Sequence, residues 1–215
     1  MLICCWSSKG GTGTTVVAVA LALTLARRDG PGALLVDLAG DVPTVLGLPA
    51  EPDGHSIADW LRDGVAPREV PVRDGLALLP RGPRSLPAER ADVLVDALGT
   101  DERDVVIDAG VIDGTRADGC EVALAVATAA THSLLVVRPC FVALRRAVLA
   151  PLRPSAVVLV EEHDRALTAS DVEVTLGVPV RARVRVTAQI ARAVDAGLLA
   201  SHLPRTLERD LHHAA

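Results

Sequence analysis

The chain has 215 residues, half of them hydrophobic and mostly Ala, Val and Leu, which suits one sizeable α/β core better than two small ones. A formal net charge of −5 with acids and bases interspersed argues against a protein that coats nucleic acid, since phosphate contacts need concentrated positive charge. Trp6, Trp60 and Phe141 are the only aromatics, which removes base stacking, and four cysteines with no C-x-x-C pair argue against a disulfide framework or a zinc site.

Taken in chain order, residues 2–6 form an apolar run that reads as a buried strand, with Cys4 and Cys5 as small core residues. A Gly-rich turn follows, and then a helix over 14–28. Within it, 16–26 is apolar like the core of a signal peptide. It is too short to span a bilayer, and a Gly-rich turn before it is foreign to a targeting segment. Further strands are predicted at 33–37, 76–79, 104–108, 133–137 and 156–160. Helices are predicted at 56–62, 87–98, 119–130, 141–149 and 187–199, with Pro87 and Gly99 as punctuation. Arg181, Arg183 and Arg185 alternate with Ala182, Val184 and Val186, the period of a strand near a sheet edge with one polar face. The tail 204–215 offers only Leu207 and Leu211 on one face, too little for a membrane-binding helix, and His212 and His213 read as a solvated pair at a frayed end. Strands alternating with helices predict an α/β fold, a doubly wound and mostly parallel sheet with helices on both faces, as one domain over residues 1–215. The expected location is the cytoplasm.

The chemistry concentrates after the first strand, in Ser7-Ser8-Lys9-Gly10-Gly11-Thr12-Gly13-Thr14-Thr15. Glycines let the backbone turn tightly and aim successive N–H groups at an anion, and the helix N-terminus adds its partial positive charge there. Thr15 falls where a P-loop hydroxyl coordinates Mg²⁺. Lys9 is the only lysine, against 21 arginines, and a compact ammonium differs from a planar guanidinium when a phosphate is met inside a tight loop.

Residues 9–15 resemble the deviant Walker A motif of the ParA/MinD ATPases, K-G-G-x-G-K-[ST]. Leu34-Leu35-Val36-Asp37 is similar to that family's second-strand motif, and Asp104-Val105-Val106-Ile107-Asp108 to its Walker B strand. The likeness continues through residues 133–146, 156–160 and 176–180. It implies a P-loop fold, ATP with Mg²⁺, and a homodimer in which Lys9 reaches the partner's nucleotide. Gly10, Gly11, Thr12, Gly13, Thr14 and Thr15 would surround the phosphates. Thr15 and Asp108 would hold the metal, and Asp37 or Asp41 would assist catalysis.

Three departures modify that expectation. Thr14 replaces the second P-loop lysine, and losing one charge-assisted hydrogen bond of about 1.5–3 kcal/mol weakens binding roughly ten- to hundredfold. Ala39 stands where a second carboxylate orients water, with Asp41 two residues on. Glu161 and Glu162 stand where an asparagine reads adenine. The G-G-x-G-T-T loop and the stretch 40–48 resemble the CpaE/TadZ-like branch, which positions Tad pilus machinery. The resemblance therefore implies a nucleotide-responsive dimer that positions a pilus or secretion complex or a chromosome, with weak or absent hydrolysis. A pseudo-ATPase scaffold, binding ADP or no nucleotide, stays open beside it. A P-loop metabolic ligase fits less well, because such enzymes keep the second lysine.

Overall fold

The computed structural model describes residues 1–49, 55–113, 120–162 and 165–214. In chain order the elements are β1 (Leu2–Ser7), α1 (Thr14–Leu25), β2 (Ala33–Asp37), α2 (Val42–Leu46), α3 (Ile57–Asp63), β3 (Val70–Arg73) and β4 (Leu76–Leu79). A 3₁₀ turn at Ala88–Arg90 leads into α4 (Ala91–Gly99), then β5 (Asp104–Val111), α5 (Cys120–Ala129), β6 (His132–Val137) and α6 (Phe141–Val148). The last third holds β7 (Ala156–Glu161), α7 (Ala169–Leu176), β8 (Val180–Arg185), α8 (Ala188–Asp195) and α9 (Arg205–Leu211).

All eight strands join one sheet in the order β3-β4-β2-β5-β1-β6-β7-β8. Every pairing is parallel except β3 with β4. The central strands are buried on both faces, so they read as unbroken apolar runs rather than alternating ones. Alternate residues feed two cores. Ile3 and Cys5 face one that also takes α1, α2, α8 and α9, whereas Leu2, Cys4 and Trp6 face another built with α3 to α7. The expected α/β fold, with helices on both faces, is the observed one. Trp6 is fully buried, and its indole Nε1–H donates to Ser133 Oγ at 3.0 Å, so its polar edge is satisfied inside the core.

Strand predictions at 33–37 and 76–79 match the observed bounds, and the others differ by one to three residues at an end. The arginine-alternating segment is β8, the edge strand, with Ala182 and Val184 buried and Arg181, Arg183 and Arg185 exposed. Residue 119, the predicted start of one helix, lies outside the described residues; α5 is described from Cys120.

Four elements escaped the sequence reading. β3 is a four-residue edge strand carrying Pro71, a residue tolerated there because an edge leaves one row of N–H groups unused. α2 is only five residues long. α7 begins with a capping box between Thr168 and Asp171, a T-x-x-D signal that was readable. The fourth is α9, in the tail where no helix was predicted. Leu207 and Leu211 are fully buried, packing this helix into the same core as α1 and β8. His212 and His213 remain exposed beyond it. Among the described residues, no helix is long and apolar enough to cross a membrane.

Candidate functional site

A cleft of about 580 Å³ opens at the C-terminal ends of β1, β2 and β5, where open parallel sheets gather ligands. One wall is the β1–α1 loop, contributing Gly10 to Thr15, and the other is formed by Ala39, Asp41, Arg81 and Gly110. Gly11 (φ 76°) and Gly13 (φ 93°) hold left-handed backbone that disfavours any side chain. Gly10 is different. It lacks positive φ, and a Cβ added there meets no heavy atom within 4 Å. Nothing in the chain itself fills the space beside position 10, so the loop stays open there.

Gly13 caps α1 without any side-chain hydrogen bond. The first-turn N–H groups of a helix have no intrahelical acceptor, so they stay available to an anion in the cleft. Thr14 is buried with its hydroxyl 3.0 Å from that of Thr12, so it lends the cleft a neutral hydroxyl in place of a cation. Ser7 Oγ donates toward the carbonyls of Lys9 (3.1 Å) and Gly110 (3.2 Å), and Ser8 Oγ donates to Ala143 O at 2.9 Å, fixing the loop to β5 and α6.

Beneath the loop, Asp108 is fully buried beside the Thr15 hydroxyl. Burial pushes its carboxyl up to about 7, the Asp37 and Asp41 charges add to this, and the Thr15 hydroxyl and Gly110 N–H oppose it. Its Oδ1 accepts the Gly110 N–H at 3.1 Å, whereas Oδ2 is buried with no partner. An orphaned carboxylate oxygen beside a hydroxyl fits a hydrated Mg²⁺, whose other ligands would be water and phosphate oxygens. That mode needs no all-protein cage, and among the described residues no three His, Cys, Asp or Glu side chains form one.

Asp37 sits level with Asp108 on the neighbouring strand, and burial raises it to about 6 against three backbone hydrogen bonds. Its Oδ1 accepts from Ala39 N (3.0 Å) and Gly40 N (2.6 Å), and Oδ2 from Val42 N (3.3 Å). Both oxygens thus shape the β2–α2 turn, and Asp37 does not line the cleft. Asp41 does, as the one carboxylate among the described lining residues.

Lys9 also stands outside the cleft lining. Its charge is felt on the other side, by Glu162, which is held below the usual carboxylate range by Arg165 foremost and by Arg138 and Lys9 in addition. Glu162 pairs with Arg138 and Arg165, and Glu161 with Arg183 (2.6 Å) and Arg185 (3.8 Å). A second crevice of about 570 Å³ at the ends of β7 and β8 is therefore lined by an ion-pair network where the sequence comparison expects an adenine-reading asparagine. Arg81, a cleft-lining residue, was missed by sequence reading; an isolated arginine in a loop carries no motif.

No protein-family model matches this chain, and no curated protein matches it. Solved structures do. The cell division ATPase MinD of Pyrococcus furiosus superposes with a TM-score of 0.79 at 21% identity, covering 99% of this chain and 98% of that one. MinD of Pyrococcus horikoshii OT3, complexed with Mg-ADP, gives 0.77 at 17% identity, covering 98% and 93%. A ParA family ATPase from Chlorobium tepidum TLS gives 0.76 at 19% identity, covering 97% and 95%. At these identities the likeness is one of architecture: the chain has the fold of the MinD and ParA ATPases.

Proposed function

We propose that the protein is a ParA/MinD-type nucleotide-binding protein whose β1–α1 loop holds the phosphates of a nucleoside di- or triphosphate with Mg²⁺. The observation that carries this reading is Gly10, a glycine that neither backbone conformation nor packing requires, in a loop that faces a cleft at an uncapped helix N-terminus. Thr15 and Asp108 would hold the metal, the threonine directly and the carboxylate through water. When bound, Mg²⁺ supplies charge neutralisation at the phosphate oxygens. Gly10, Gly11, Thr12, Gly13 and Thr14 line the anion with backbone donors and hydroxyls. Asp41 is the carboxylate placed to orient water, while Asp37 holds the turn that presents it.

Hydrolysis is expected to be weak or absent. Thr14 brings no charge, and Ala39 brings no carboxylate. A pseudo-ATPase scaffold is the second reading, and the Glu161–Glu162 ion-pair network favours it, because a committed network does not offer an adenine contact. In the nucleotide-bound homodimer Lys9 acts outside its own cleft, on the nucleotide of the partner copy. The G-G-x-G-T-T loop supports a place near the CpaE/TadZ-like branch and a role in positioning a Tad-type pilus complex or a chromosome.

Light scattering with Mg-ATP tests the dimer. The wild-type chain is expected to shift toward dimer, and Lys9→Ala and Lys9→Arg are expected to stay monomeric, since a planar guanidinium does not replace a compact ammonium in a tight loop. A Lys9→Ala chain that dimerises like wild type contradicts the assignment.

A further inference from the structure

Arg81 is the one cationic side chain among the described residues lining the phosphate cleft. It lies just beyond β4, and its backbone is clamped from behind. The N–H groups of Ile57 and Ala58, at the start of α3, donate to the carbonyls of Pro80 (3.0 Å) and Arg81 (3.1 Å). The next residue, Gly82, turns sharply with φ 79°, and a Cβ there would sit 2.1 Å from Ser56 Oγ. Position 82 therefore accepts only glycine, and the turn sends the arginine side chain toward the β2–α2 loop. There its guanidinium packs over Gly40, 3.9 Å from where a Cβ would stand.

The side chain is held without being satisfied. Among the described residues its one side-chain hydrogen bond runs from Nη1 to Ala39 O at 3.5 Å, the long limit of such a contact, and Nε is buried with no partner there. Among the described residues it makes no ion pair, whereas Arg84, three residues on, pairs with Asp59 and Asp63. A buried guanidinium nitrogen without an acceptor is costly unless an anion joins it.

We propose that Arg81 is a phosphate-binding residue, supplying from the β4 side the positive charge that the loop lacks at Thr14. The inference rests on the nucleotide reading above. The anion it fits is a di- or triphosphate, which an arginine fork meets with two parallel hydrogen bonds.

Calorimetric titration of the full chain with Mg-ATP and, separately, with magnesium pyrophosphate tests it. Arg81→Ala and Arg81→Gln are expected to weaken both ligands about tenfold or more, with circular dichroism and Tm reporting an intact fold. Arg84→Ala is expected to bind as wild type does. Unchanged binding by both Arg81 variants overturns the inference alone. An equal loss in Arg84→Ala also overturns it, because the effect would then be general charge. A wild-type chain that binds neither ligand overturns the nucleotide reading and this inference with it.

Discussion

Asp37 and Asp108 stand at the same register position on adjacent parallel strands, β2 and β5, both buried. Two carboxylates in that position resist joint ionisation, and burial raises both, to about 6 and about 7. Their folded pKa values therefore lie above those of the unfolded chain. The stability they lend is fully present below about pH 4 and is lost as pH rises through 6 to 7. In chelator and without nucleotide, unfolding free energy should fall by on the order of 2–4 kcal/mol between pH 5 and pH 8. Urea titrations of wild type and Asp108→Asn check this, and the variant should show a clearly flatter profile. An equal slope in both proteins would place the pH dependence elsewhere.

Gly10→Ala separates a ligand requirement from a folding one. A Cβ at this position meets nothing within 4 Å, and the backbone lacks positive φ, so Tm should hold and stability should change by no more than about 0.5 kcal/mol. Affinity for Mg-ATP should fall tenfold or more, because the methyl group intrudes where a phosphate approaches. Thermal melts and a calorimetric titration of the same sample give both readouts. Intact binding would mean that the ligand does not reach this part of the loop.

The C-terminal helix makes a stability prediction. Leu207 is fully buried in the core shared by α1 and β8, so Leu207→Ala should cost about 2–4 kcal/mol in chemical unfolding, the ordinary range for a leucine truncation that leaves a cavity. A loss below about 0.5 kcal/mol would match an exposed position instead.

Much of this was legible in the sequence, and the reasons are physical. Residues 33–37 and 76–79 are continuous apolar runs because their strands are buried on both faces, and such runs announce themselves. The loop was legible because its glycines, its hydroxyls and the strand and helix around it are local features. The surroundings of Asp37 were not. Its carboxylate accepts three N–H groups of its own turn, and no spacing in the sequence announces those bonds. Arg81 was invisible for a different reason, since it reaches the cleft only through the pairing of β4 with β2 and the sharp turn at Gly82. The docking of the tail was not legible, because two leucines make too weak a pattern to announce a helix yet are enough to pack against a core already present.

Turnover follows from charge. Removing one preorganised electrostatic group commonly costs about 10²–10³ in rate, so phosphate release from ATP by the wild-type chain should stay near background. Thr14→Lys combined with Ala39→Asp supplies a cation and a carboxylate to the cleft and should raise it. Brisk release by the unmodified protein would assign the work to Asp41, which already lines the cleft. No gain in the double variant would favour the scaffold reading.

The central claim, that the cleft is a phosphate site, meets its most direct test in calorimetric titration of the wild-type chain with Mg-ATP, Mg-ADP and AMP. Binding of the di- and triphosphate with AMP at least tenfold weaker is the expected result, because the donors line a loop and a helix N-terminus rather than a base pocket. No heat of binding from any of the three, or AMP binding as tightly as ATP, would contradict it.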